Sequence, residues 1–174
     1  MGDVVRNTIA AVDSGSIPTV GATFPNDKPV SKPGVRLPRA DAASTPTLHY
    51  SAPSSTGKYI AACIDLDAPF PAFAVLGPIL HWLQTDLVPT ASGQLEVSND
   101  VPAVLKYHGP GPPPLSPPHR YVFLLYEQPE GFERSKVGLP EVVGIRDVMR
   151  WNHEQFEKRT GLGKVVAGNY FVSN

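Results

Sequence analysis

Three short segments hold the side chains most able to do chemistry. Asp65 and Asp67 sit two residues apart at the end of an apolar run, His81 lies within Ile79-Leu80-His81-Trp82-Leu83, and His119 and Tyr121 follow a stretch in which six of nine residues are proline. Carboxylates, imidazoles and a phenol can orient a proton or hold a small anion, because neutral histidine both donates and accepts and tyrosine donates from the end of an apolar ring. Strand alternation puts Cys63, Asp65 and Asp67 on one face opposite Ile64 and Leu66, His81 with Ile79 and Leu83 opposite Trp82, and His119 beside Tyr121, Phe123 and Leu125. On spacing alone, the aspartates serve equally well as turn caps and His81 as a hydrogen-bonded core residue. The His119 and Tyr121 pair next to a stiff loop points more towards recognition.

That loop carries Pro110, Pro112, Pro113, Pro114, Pro117 and Pro118. Proline fixes φ and supplies no N–H, so the loop has few conformers to lose on binding and cannot extend a ladder. Tyr107-His108-Gly109-Pro110-Gly111-Pro112 lacks the terminal Lys-Ser/Thr and the amide donors of a nucleotide phosphate loop. No Gly-x-Ser-x-Gly elbow and no His-Glu-x-x-His occur, and His49, His81, His108, His119 and His153 lack close metal-ligand spacing. Neither a serine nucleophile nor a metal is expected, and no cofactor is implied. The single cysteine, Cys63, sits in an apolar run and reads as a buried, inert thiol, which fits a reducing compartment.

Positioning these groups requires strands. Twenty prolines and fifteen glycines cut the 174 residues into apolar runs of five to eight, the length of strands. Lys58–Asp67, Pro78–Leu87, Val104–His108, His119–Gln128 and a closing Lys164–Val172 are the predicted strands, with edge strands and loops over residues 21 to 47. Continuous hydrophobicity in Tyr59–Ile64 and Tyr121–Leu125 predicts central strands covered on both faces. A short helix is expected over Val4–Val12, stopping at Asp13-Ser14-Gly15. Another follows Pro140, where Ile145, Val148, Met149, Asn152 and Phe156 form a helical stripe that Asp147 caps and Gly161 ends. No repeat or linker divides the chain, so residues 1–174 read as one domain, long enough to bury about two thirds of its unfolded surface.

Fifteen basic and sixteen acidic residues nearly cancel, leaving no global field to recruit nucleic acid or an anionic membrane. The start, Met1 to Thr8, has no long apolar region, and nowhere do about 18 uncharged apolar residues run together. A cytoplasmic protein without stable membrane insertion is expected. Arg6 stands where a myristoylated Gly2 would require Ser or Thr, which disfavours lipid anchoring.

Asp65-Leu66-Asp67-Ala68-Pro69, Leu80-His81-Trp82, Tyr107-His108-Gly109-Pro110, the run from His119 to Gln128 and the ending Val165 to Phe171 together resemble the phosphatidylethanolamine-binding protein family, from about Gly34 onward. The resemblance implies a mainly β fold, an antiparallel Greek-key β-sandwich with a short N-terminal helix and a C-terminal helix. It also implies a small anion pocket at one end of the sandwich, carried by Asp65, Asp67, Pro69, His81, Gly109, Pro110, His119 and Tyr121. Similar proteins bind phosphate, acetate or phospholipid head groups there, and many act on protein partners as kinase inhibitors, protease inhibitors or flowering regulators. Leu66 replaces the family's usual proline, and Phe70 opens an apolar loop in which Phe70 and Phe73 form a lipophilic pocket rim. Such a rim selects a ligand with an anionic end and a hydrocarbon or ring body, since burying one phenylalanine contributes about 1.5–3 kcal/mol. The short chain resembles fungal members, some of them similar to accessory proteins of secondary metabolism that include maleic-anhydride dimer assembly.

An anion meeting Asp65 or Asp67 at about 4 Å is repelled by roughly 4 kcal/mol at an effective dielectric near 20. Asp65 is therefore expected to accept a hydrogen bond from His81, favouring an imidazolium that donates to the anion, with Gly109 as the point of close backbone approach. The same dyad could abstract an acidic C–H proton, which makes His81, Asp65 and His119 the candidate catalytic residues. Three functions stay open: a binding protein for a small anionic or amphiphilic ligand, an enzyme or accessory protein acting on a hydrophobic carboxylate or anhydride, and a regulator acting through a protein partner.

Overall fold

A computed structural model describes residues 4–51 and 57–174; the Gly2 position lies outside them. Val4–Asp13 forms α1, with Val5, Thr8 and Val12 turned inward. Its close seat depends on Gly168, where an added Cβ would meet Thr8 Cγ2 at 2.5 Å.

Nine strands follow: β1 (Gly21–Phe24), β2 (Lys28–Pro29), β3 (Val35–Arg36), β4 (Thr47–His49), β5 (Tyr59–Asp65), β6 (Ile79–Pro89), β7 (Gln94–Val97), β8 (His119–Glu127) and β9 (Ala167–Ser173). They form one sheet in the order β2-β1-β4-β7-β6-β5-β8-β9-β3, antiparallel except for the β3 and β9 pair. The mainly β class holds, but the expected two-layer Greek-key sandwich gives way to a single curled sheet. Five strands separate β1 from β9 in that order, yet Phe24 and Phe171 meet with ring centroids 5.3 Å apart, and the Val20 N–H reaches the Gly168 carbonyl. The curl exists because both faces of the central strands are apolar. Tyr59, Ala61 and Cys63 of β5 join a core with Trp82, Tyr121, Phe123 and Phe171, while Ile60, Ala62 and Ile64 join a second core with Leu80, Val122, Leu124 and Phe156.

Two predicted elements differ, and one observed strand is not predicted. Val104–His108 is not a strand; its ladder contact is a single bridge from Leu105 to Leu83, after which the segment follows an irregular stretch of β6. The short, polar β7 carries no run long enough to read. The C-terminal helical stripe splits into α2 (Ile145–Val148) and α3 (His153–Thr160), because Arg150 adopts a positive φ of 52° and the backbone N–H groups of Arg150 and Trp151 turn to the carbonyls of Leu76 and Pro78. Asn152 rather than Asp147 caps α3, accepting the Gln155 N–H at 2.9 Å, whereas Asp147 accepts from Gly144 ahead of α2. Gly161 ends α3 in the left-handed conformation, as its position predicts. No helix among the described residues is long and apolar enough to cross a membrane.

Candidate functional site

Strand β5 delivers Asp65, and then the chain turns. The Asp65 carboxylate accepts the Asp67 N–H at 2.8 Å, a local turn bond that ends the alternation and sends the two carboxylates to different partners. Asp67 meets Arg120 through two side-chain bonds of 2.8 and 2.6 Å and accepts the Arg120 N–H at 2.9 Å. Burial alone would raise the Asp67 carboxyl, but these bonds and the guanidinium charge win and hold it below the ordinary carboxylate range. Arg120 was not among the expected site residues. Its position next to His119 in sequence gave no sign, since strand alternation points it away from His119 and Tyr121.

Asp65 pairs with His119, not with His81. His119 Nδ1 lies 2.8 Å from Asp65 Oδ2, whereas His81 Nε2 stands 3.9 Å from the same oxygen. The other nitrogen of His119 faces two acceptors, the Pro69 carbonyl at 3.1 Å and Ser116 Oγ at 3.0 Å, and the Ser116 hydroxyl spends its own proton on the Pro117 carbonyl. A ring with acceptors at both nitrogens is doubly protonated. Burial works against that charge, but the hydrogen bond to Asp65 and its charge outweigh it and raise the imidazole above its usual range. His119 thus clamps the Pro69 and Ser116 loops together, with both N–H groups committed.

His81 owes its place to a β-bulge. Cys63 pairs with Trp82 and Ile64 with Leu80, so His81 is the extra residue on β6, and the strict alternation expected through Ile79, His81 and Leu83 is broken. The bulge turns the imidazole edge-on to Tyr121, with ring centroids 5.2 Å apart at 83°. His81 Nδ1 is 2.9 Å from the His108 carbonyl, which can only accept, so Nδ1 carries the proton. Burial depresses this histidine below its usual range, the carbonyl bond and the Asp65 charge only partly offsetting it. Its Nε2 therefore presents a lone pair, has no hydrogen bond to another described residue, and belongs to a half-buried side chain.

The proline loop is strapped down by three bonds. Arg39 Nε donates to the Pro110 carbonyl at 2.8 Å, the Tyr107 hydroxyl to the Ala42 carbonyl at 2.9 Å, and the Gly111 N–H to the Tyr121 hydroxyl at 3.3 Å. Gly109 is needed for this packing, since a Cβ would meet Ala43 Cα at 2.8 Å. That contact, within the chain, by itself requires a glycine here. Burial, with the Asp65 charge adding to it, pushes the Tyr121 phenol far up. Of the eight expected ligand positions, Asp65, Asp67, Pro110, His119 and Tyr121 are buried, while Pro69, His81 and Gly109 are half-buried. Phe70 and Phe73 are exposed in a tight turn closed by the Phe73 N–H on the Phe70 carbonyl. Cys63 is fully buried, and burial followed by the Asp65 charge raises its thiol well above the ordinary range.

A family model described as phosphatidylethanolamine-binding protein matches residues 14–171. The chain is 34% identical over 145 residues to phomoidride biosynthesis cluster protein N of Talaromyces stipitatus, covering 78% of this chain and 70% of that protein. It is 30% identical over 201 residues to the carboxypeptidase Y inhibitor of Saccharomyces cerevisiae, covering 98% and 89%. Among solved structures, the carboxypeptidase Y inhibitor in complex with its cognate proteinase superimposes with a TM-score of 0.77 at 23% identity, over 99% of this chain and 97% of that one. The phosphatidylethanolamine-binding protein of Plasmodium vivax gives 0.72 at 19% identity, over 96% and 97%.

Proposed function

Because the chain belongs to the phosphatidylethanolamine-binding protein family, and to its fungal type, we propose that it binds a small acidic head group, carboxylate or phosphate, carried on a hydrophobic ligand. The observation that carries this reading is the half-buried His81, whose tautomer the His108 carbonyl fixes and whose Nε2 is uncommitted. His119 and Arg120 neutralise Asp65 and Asp67, so an incoming anion does not meet bare carboxylates. His81 takes up a proton as the anion arrives and donates it back across the new contact, so binding tightens as pH falls. Pro69, Gly109 and Tyr121 border the same site, and Phe70 and Phe73 are its lipophilic rim. The cytoplasm, as one domain, is where this reading has it work.

The test is a titration with inorganic phosphate and with propionate, followed through the His81 ring signals by NMR. Saturable shifts that tighten from about pH 7.5 to about pH 5.5 are expected in the wild type, and calorimetry with the same two probes should show their binding lost in His81→Ala. Equal binding by His81→Ala, or no saturable binding of either probe, overturns the reading.

A second reading also starts from Nε2 of His81. An unprotonated imidazole nitrogen is a general base, and one relative is named for a biosynthesis cluster. In this reading the protein is an enzyme or accessory protein that takes an acidic C–H proton from a hydrophobic carboxylate or anhydride. Likeness to a carboxypeptidase inhibitor supports a third role, as a regulator that acts on a protein partner. Partner capture that His81→Ala leaves unchanged would favour it.

A further inference from the structure

Behind His81 lies a cavity of about 150 Å³, lined by Leu80, His81, Leu105, Val143, Ile145 and Val148 among others. Its walls are apolar except for His81 and His108. It exists because the C-terminal helical stripe is broken at Arg150: the one-turn α2 is held against the loop before β6 by the Arg150 N–H on the Leu76 carbonyl and Arg150 Nε on the Val75 carbonyl, and does not fill the space over Leu105. Val142 and Ile145 stand exposed beside it. An apolar pocket of roughly this size accepts a benzene-sized guest. His81 lines the cavity, stands against Asp65 at 3.9 Å and meets Tyr121 edge-on, so it belongs to both places.

We infer that this cavity holds the hydrocarbon end of the ligand, so that the preferred ligand is a short amphiphile, an acid with an apolar body of about five or six carbons lying across His81. The inference rests on the head-group reading above and adds the size and chemistry of the tail. A long acyl chain exceeds the cavity, so the affinity gained from chain length ends early. The polar and apolar parts of the ligand meet at one residue, which makes His81 the hinge of the selectivity.

The experiment is a calorimetric titration with propionate, butyrate, pentanoate, hexanoate, decanoate and hexan-1-ol. Affinity is expected to rise roughly three- to fourfold per added methylene up to about hexanoate and then level off. Val143→Phe, which fills the cavity, should flatten that rise so that hexanoate binds no more tightly than propionate, with folding checked by thermal melting. Val148→Ala, which enlarges it, should move the plateau to a longer chain and keeps the test decisive if Val143→Phe does not fold. Equal binding of propionate and hexanoate overturns the tail site and leaves the head-group reading standing. Hexan-1-ol binding as tightly as hexanoate overturns the shared His81 arrangement. Absence of all carboxylate binding overturns the head-group reading, and the inference with it.

Discussion

His119 Nδ1 and Asp65 Oδ2 form a buried pair 2.8 Å apart, and the ring's other nitrogen ties the Pro69 and Ser116 loops. Removing one partner of a buried pair leaves an uncompensated charge, which costs about 3–5 kcal/mol. His119→Phe should therefore lose about that much in urea denaturation, and Asp65→Asn less. The wild-type contribution has a defined pH course. A histidine held above its unfolded value of about 6.5 stabilises fully below that pH and loses the contribution as pH rises through the folded value. Stability curves of His119→Phe should lack that alkaline decline; a parallel decline in both proteins would refute the pairing.

His81 should behave in the opposite sense. Its folded value is depressed, so its contribution is present above about pH 6.5 and is lost as pH falls towards the folded value. NMR titration of the ring carbons is expected to place His81 below, and His119 above, the ordinary histidine range in the ligand-free protein. Two histidines titrating together would contradict the different hydrogen-bond environments.

Arg120 is a structural cation. Its guanidinium is about one third exposed, while Asp67 is buried, so the arrangement matters mostly through what its loss leaves behind. Arg120→Ala should cost about 1–3 kcal/mol, the desolvation penalty of a buried group deprived of its partner. Asp67, held below its unfolded value, stabilises the fold above about pH 4, and that contribution disappears as pH falls through the folded value. Acid unfolding of Arg120→Ala should begin at higher pH than that of the wild type.

How far the sequence reveals this site depends on whether the backbone keeps its period. Tyr59–Ile64 and Tyr121–Leu125 keep it, and both strands and their two buried faces are legible from apolar residues alone. At His81 one extra residue breaks the period, so alternation wrongly carries Leu83 onto the face of the imidazole. At Asp67 a side-chain turn replaces the pleat, so two residues that alternation puts together diverge to His119 and Arg120. The helical stripe from Ile145 to Phe156 is real in composition but interrupted by bonds to Leu76 and Pro78, partners about seventy residues away that no local pattern can reveal. The shared motifs contain Asp65, His81, His119 and Tyr121, which the structure makes neighbours, but they do not say which histidine Asp65 chooses.

Gly109 offers a check on the strap over the site. A Cβ placed 2.8 Å from Ala43 Cα must push the proline loop away from residues 42 and 43, stretching the Tyr107 bond to Ala42. Gly109→Ala should destabilise by about 1–3 kcal/mol, as overpacking does elsewhere. Unchanged stability would show that the loop yields and that the contact with Ala43 does not require the glycine.

The network at the other side of the sheet fixes α3 and has a direction. Trp151 Nε1 can only donate, and it lies 3.1 Å from His153 Nδ1, so that nitrogen accepts. His153 Nε2 must then carry the proton and donate to the Tyr126 hydroxyl at 2.6 Å, which passes its own proton to Glu157 at 2.9 Å. Reversing any one bond would leave two donors or two acceptors facing each other. Tyr126→Phe removes the middle of the chain while keeping the ring's packing, so it takes away the hydroxyl that His153 Nε2 bonds and the donor that Glu157 accepts from. A loss of about 1–3 kcal/mol is expected, together with faster amide exchange across α3 than across β5 and β8, because the network joins α3 to the sheet through Tyr126. If Tyr126→Phe proves as stable as the wild type, the hydroxyl is not the link, and the apolar contacts of Phe156 with the second core, with the Arg159 bond to the Val137 carbonyl, hold the helix.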